Sequence, residues 1–299
     1  MKHLLVGDNA FIGHSHLSHA MARQKALKLE NNAIVRVIEK AVSCGATGFT
    51  FSVHPTNFQI LQNLVRSNQV GNGFEVYPVM PYAPAFVRTI NEKGMLGLIS
   101  EFLSHLSMKD RTKLIVQGSI SSLTFDPVGV MLAYFDSELS RIPRPLNIRS
   151  VLLHEVITDL GVSFRMVPMF ESFIHHIRDK WHATPGFVTR NFPRFVDLFR
   201  EMNQPFNDVV IMTPFNSIGY QMNPSRQSCE DSLSNMNDTI VIAMSMLAGG
   251  YTPLDQAVNY IRNLSNLSGA AIGVSSIDHA ERTFRKMQEV LADGSNRGS

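Results

Sequence analysis

Nine short, continuously apolar runs punctuate the 299 residues, and longer amphipathic segments separate most of them. The runs occupy residues 3–6, 47–51, 75–80, 113–117, 150–154, 186–189, 208–212, 239–244 and 270–274. Short apolar runs rich in β-branched residues suit strands buried on both faces, the condition of a parallel sheet. Residues 33–44, 56–66, 127–141, 165–181, 192–202, 254–264 and 279–292 carry helical patterns instead. In the first of them Ile34, Val37, Ile38 and Ala41 recur three or four apart and make one apolar stripe. Strand and helix alternating in this way predict a parallel sheet with helical crossovers. No run reads as a polar edge strand, so a closed (β/α)₈ TIM barrel is expected rather than an open sheet.

Nine runs exceed a barrel's eight strands by one. Residues 113–117 are the surplus run, because residues 91–125, after the third strand, read as an insertion with its own helix at 95–106. No composition shift or Pro/Ser-rich linker divides the chain, so one domain over 1–299 is expected. An apolar fraction of 44% excludes a disordered chain, and a net charge of +2 argues against nucleic acid or a membrane surface as partner. The longest apolar stretch, residues 239–250, is too short to span a bilayer. The first residues meet Asp8 and Asn9 too early for a signal-peptide core. Two cysteines, Cys44 and Cys229, make no disulfide framework and have no basic neighbour to form a thiolate. A cytoplasmic protein acting on a small molecule is expected.

In such a barrel the chemistry sits at the C-terminal strand ends, which directs attention to polar residues there. They include Asp8, His54, His154 with Glu155, Arg190 with Asn191, Asn216, and Ser275 with Ser276. Imidazole titrates near neutral pH, so His154 and His54, with Glu155 and Asp8, are the candidate acid/base groups. Imidazoles beside a carboxylate also suit a divalent metal such as Zn²⁺ or Fe²⁺, with His14, His16, His54 and His154 as candidate ligands, although their spacing matches no metal signature. A strand-end histidine can equally be a hydrogen-bonded loop residue. The turn 273–277 enters a helix carrying Arg282 one turn in, an arrangement that offers amides, hydroxyls and a guanidinium to an anion. Alternatively Ser275 or Ser276 simply caps that helix. Arg190, Asn191 and Asn216 complete the candidate anion- or substrate-binding set.

Residues 239–264 (VIAMSMLAGGYTPLDQAVNYI within them) and 269–284 (GAAIGVSSIDHAERTF) resemble the seventh and eighth strand–loop–helix units of the aldo/keto reductase superfamily. Residues 38–51, 150–159 and 208–216 are similar to its second, fourth and sixth strands. The resemblance implies that superfamily's barrel and, in its ordinary members, a nicotinamide cofactor (NADP) with an Asp, Tyr, Lys and His catalytic set. Only the histidine carries over, onto His154. The aspartate position falls on Thr50, the tyrosine position at or beside Pro55, and the lysine position within residues 77–80, where there is no lysine. The stacking tyrosine of the nicotinamide pocket lands on Met244, and the amide-binding glutamine near Met212. A phenol without its lysine and aspartate loses the means of lowering its pKa. The expectation is therefore a non-redox enzyme, a lyase, isomerase or hydrolase using His-based acid/base chemistry on a small polar carbonyl or carboxylate that is free or phosphorylated. The alternatives are a divergent NADP-dependent reductase and a non-catalytic barrel used for binding.

Overall fold

The computed structural model describes residues 2–11, 31–71, 73–82 and 126–295. Nine parallel strand segments make one closed sheet: β1 (His3–Gly7), β2 (Gly48–Ser52), β3 (Glu75–Met80), β4 (Asn147–Ile148), β5 (Ser150–Leu153), β6 (Thr184–Val188), β7 (Val210–Pro214), β8 (Ile240–Met244) and β9 (Gly269–Gly273). Both β4 and β5 pair with β3, so they are two pieces of one barrel strand interrupted at Arg149. Closure comes from β1 against β9 and β2 against β3, with Thr50 opposite Tyr77. The result is an eight-stranded (β/α)₈ barrel. The eight sequence runs other than 113–117 all coincide with its strands; residues 113–117 and the expected insertion at 91–125 lie outside the described residues.

Nine helices among the described residues surround it: α1 (Asn31–Ser43), α2 (Pro55–Ser67), α3 (Pro127–Leu139), α4 (Glu155–Ser163), α5 (Val167–Trp181), α6 (Phe192–Glu201), α7 (Arg226–Ser234), α8 (Leu254–Arg262) and α9 (Ile277–Ser295). Two of them, α4 and α7, are absent from the periodic reading. The α4 segment is a nine-residue helix with a glycine, too short to declare a period, and α7 is almost wholly polar.

The apolar material divides between two cores. Inside the barrel Leu5, Tyr77, Leu152, Val188, Val210, Met212 and Ile242 pack together. Between barrel and helices lies a larger layer in which Phe187 of β6 meets Phe170, Phe173, Phe195 and Phe199 at ring-centroid distances of 5.1–5.7 Å. Alternation along each strand explains the division: Leu152 and Val188 point inward, while Phe187 points outward. The N-terminal end of the barrel is closed by a polar network in which Tyr77 Oη donates to Glu75 Oε2 (2.6 Å) and lies 3.1 Å from His3 Nδ1. Burial of Tyr77 and the hydrogen bond to Glu75 push its phenol pKa far up, so it is a fixed neutral donor.

His176 joins helices α5 and α3. Asp136 accepts from His176 Nε2 (2.8 Å), Trp181 Nε1 (2.8 Å) and Lys180 Nζ (2.5 Å). Burial works to raise the Asp136 pKa, but these donors outweigh it and hold the carboxyl below its ordinary value. A depressed carboxyl contributes stability above its unfolded pKa, and that contribution is lost as pH falls through the folded value. Asp136→Ala is expected to lower the unfolding free energy by about 2 kcal/mol at neutral pH, measured by urea titration, with a smaller loss in acid. Equal loss at both pH values would contradict this reading.

Candidate active site

Five adjacent barrel strands each deliver a polar side chain just beyond their C-terminal ends. In the order β1, β2, β3, β5, β6 these are Asp8, His54, Tyr82, His154 and Arg190. His154 comes two residues after inward-facing Leu152, and Arg190 two after inward-facing Val188, so strand alternation directs both toward the barrel mouth. His54 and Tyr82 meet with ring centroids 4.9 Å apart.

The two histidines are held by the same device. Each is the N-cap of the helix after its strand, and its imidazole does the work usually given to a serine or aspartate side chain. His154 Nδ1 accepts from Val156 N–H at 3.1 Å, and His54 Nδ1 accepts from Thr56 N–H at 3.3 Å. A ring nitrogen that accepts carries no proton, so the neutral imidazole must carry it on Nε2. The cap thus fixes the tautomer, and Nε2–H is the atom each ring offers as a donor. His154 N–H donates to Met80 O at 2.7 Å, which ties the residue to the end of β3.

Beside His154 stands a set of ionic contacts. His154 Nε2 lies 3.8 Å from Glu155 Oε2, and Glu155 Oε1 pairs with Arg190 Nη2. The backbone N–H of Arg190 donates to Asp159 Oδ2 (3.1 Å), and Thr189 Oγ1 donates to Asp159 Oδ1 (2.5 Å). Thr189 Oγ1 in turn accepts from Asn191 N–H at 3.0 Å. Burial raises the pKa of Asp159. Asp159 and Thr189 were not singled out in the sequence, yet a signal existed: Glu155 and Asp159 stand four apart and so share one face of α4.

Asp8 is buried. Its Oδ2 accepts from Ser52 N–H (2.8 Å) and Asn57 Nδ2 (2.8 Å), joining the end of β1 to the β2–α2 junction that carries His54. Desolvation pushes its pKa up to about 6, against the opposing pull of those hydrogen bonds.

Other expected residues are placed elsewhere or otherwise engaged. Asn216 is fully buried and closes its own turn, donating to Tyr220 O (2.8 Å) and accepting from Tyr220 N–H (2.7 Å), so it is not open to a ligand. Ser276 Oγ accepts from His279 N–H (3.2 Å), which is the helix-capping alternative, and Ser275 N–H donates to His279 Nδ1 (3.4 Å). Arg282 is exposed on α9. His14 and His16 lie outside the described residues. Among the described residues no group of three or more His, Cys, Asp or Glu could hold a metal ion. Both cysteines are buried, and burial pushes the Cys229 thiol up to about 11, far from a thiolate nucleophile. No described helix is long and apolar enough to cross a membrane.

No family model matches the chain, and no curated protein matches it in sequence. Solved structures do match in shape. An aldo-keto reductase from Pseudomonas aeruginosa superposes with a TM-score of 0.61 at 11% identity, over 96% of this chain and 90% of the other. An aldo-keto reductase from Bacillus halodurans in its holo form gives 0.56 at 11% identity, over 97% and 91%. The chain has the aldo-keto reductase fold. Glycerol dehydrogenase from Gluconobacter oxydans extends the set, with a TM-score of 0.54 at 11% identity over 98% of this chain and 90% of that one.

The residues onto which the resemblance placed the catalytic set and the nicotinamide contacts are engaged within the barrel. Thr50 is buried and donates to Tyr77 O at 3.2 Å. Pro55 is the first residue of α2. Met212 lies in the inner core and Met244 packs against it, giving that side of the mouth an apolar lining. Ser276 serves the amides of His279 and Ala280 and leaves those of Ile277 and Asp278 at the exposed helix start. A Cβ added at Gly273 would meet nothing within 4 Å, so there is open space beside the end of β9.

Proposed function

We propose that the barrel mouth is the active site of a divergent oxidoreductase that reduces a small polar carbonyl compound bearing an anionic group. The observation that carries this reading is His154, whose capped Nδ1 puts the proton on Nε2 at the barrel mouth. An N–H so placed stabilises by hydrogen bonding the negative charge that develops on a carbonyl oxygen as the carbon accepts an electron pair, and the proton that completes the alcohol comes from solvent. Arg190, held at the same mouth by Glu155, is the group of opposite charge for a substrate carboxylate or phosphate. A nicotinamide cofactor supplies the hydride when bound. The Ile277 and Asp278 amides with Arg282 would hold its phosphates, and Met212 and Met244 its apolar ring face. Exposed Ile218, Tyr251 and Ile277 stand on the loops after β7, β8 and β9, as expected where a largely apolar ligand lies across that side.

The reductase and dehydrogenase names of the structurally similar proteins support hydride transfer. One observation favours the non-redox reading instead: no tyrosine–lysine pair occupies the family positions, and Glu155 lies beside His154 as a base would. The two readings separate in one experiment on the full chain. Pyruvate, glyoxylate and hydroxyacetone are offered with NADPH while its absorbance is followed, and pyruvate is incubated in D₂O without cofactor while its methyl protons are followed by NMR. NADPH consumption supports the reductase. Methyl exchange without NADPH binding would overturn it in favour of His-based enolisation.

A further inference from the structure

We propose that Asp159 is a positioning residue for this site, setting the Arg190 guanidinium in place by fixing the backbone from which it projects; this rests on reading the mouth as an anion-accepting active site. Both carboxylate oxygens of Asp159 are engaged, one by Thr189 Oγ1 and one by the Arg190 amide, and both partners belong to the two residues after β6. Main-chain bonds hold these residues on the side of β7, where Thr189 N–H donates to Met212 O (3.1 Å) and Arg190 O accepts from Asn223 N–H (3.0 Å). The Asp159 carboxylate on α4 holds them on the opposite side. Thr189 Oγ1 also accepts the Asn191 amide, which extends the hold to the start of α6.

The consequence falls on the Arg190 side chain. With its backbone held against α4, the guanidinium reaches Glu155, four residues before Asp159 on the same helix face. One helix face therefore fixes Arg190 at two points, by main chain and by side chain. Glu155 Oε2 lies beside His154 Nε2. The contacts run in series from Asp159 to Arg190, Glu155 and His154. Asp159 acts on the site through Arg190. Removing it should loosen the β6–α6 turn on its α4 side and let Arg190 leave Glu155 for solvent, so that the anion anchor is weakened while the imidazole keeps its cap.

The test uses the full-length protein with Asp159→Ala, with Thr189→Val as a milder variant that removes one of the two donors and keeps the Arg190 amide bond. Ile177→Val, a buried change on α5, controls for general loss of stability. The readout is the Arg190 Nε–H signal in ¹⁵N NMR, assigned by its disappearance in Arg190→Lys, together with the dissociation constant for pyruvate followed on that signal. Asp159→Ala is expected to move the signal toward the shift and fast exchange of exposed Arg36 and to weaken pyruvate by about tenfold or more, since hydrogen bonds to charged groups are at stake. Thr189→Val should give a smaller change in the same direction, and Ile177→Val none. An Arg190 signal unchanged in Asp159→Ala would overturn the proposal. If the wild-type protein binds no pyruvate, the substrate class fails, and the Arg190 signal still decides the role of Asp159.

Discussion

Replacing His154 by asparagine is expected to lower turnover of a carbonyl substrate by about 10²–10³-fold, the usual worth of a positioned hydrogen-bond donor to a developing oxyanion. Thermal stability should change little. The reason for choosing asparagine is structural: His154 caps α4 through Nδ1, and asparagine is among the best N-cap residues, so the Val156 amide keeps an acceptor. What disappears is Nε2–H. Alanine would confuse the two roles, because it removes the cap as well, at about 1 kcal/mol. A His154→Asn protein that keeps its turnover per folded molecule while losing stability would show that the imidazole is a cap and nothing more.

Asp8→Asn is expected to stabilise the protein at pH 7, by up to about 3 kcal/mol, because the Asp8 pKa is raised from 3.8 to about 6 and each unit is worth about 1.4 kcal/mol. An asparagine oxygen can accept the Ser52 and Asn57 donors that now meet one carboxylate oxygen. For an acid whose folded pKa lies above its unfolded value, the stabilising contribution is complete below the unfolded pKa. It is then lost as pH rises through the folded value. The difference between variant and wild type should therefore be near zero at pH 4 and should grow up to pH 7, as measured by urea unfolding at several pH values. A variant less stable than wild type at pH 7 would mean that the hydrogen bonds to the carboxylate outweigh its desolvation. A buried charge that costs stability at a barrel mouth is a mark of a functional group, and His54 stands on the helix that Asp8 holds.

The barrel was legible because its strands are buried on both faces and therefore write themselves as unbroken apolar runs. Eight of them fell on observed strands, and the C-terminal resemblance pointed to the same fold. What escaped was short or polar. The α4 helix follows His154 without a pause, so the run 150–154 read as one strand, whereas the strand ends at Leu153 and His154 begins the helix. The insertion of Arg149 between β4 and β5 left no trace in apolar pattern. At the site, strand-end position picked out His54, His154, Glu155 and Arg190, which follow the C-terminal ends of β2, β5 and β6. It could not distinguish Asn216, whose amide fits the main chain of its own turn, from a residue that faces a ligand. Asp159 was missed because its contacts are to an amide and a hydroxyl thirty residues away, and only the packing of α4 against the end of β6 brings them together.

A crystal structure of the full chain grown with NADP⁺ and oxamate, an unreactive relative of pyruvate, tests the assignment of the mouth most directly. The amide carbonyl of oxamate is expected within hydrogen-bond distance of His154 Nε2, its carboxylate at the Arg190 guanidinium, and the cofactor phosphates at the start of α9. Oxamate bound at the N-terminal end of the barrel, or at the mouth with no contact to His154, would contradict it.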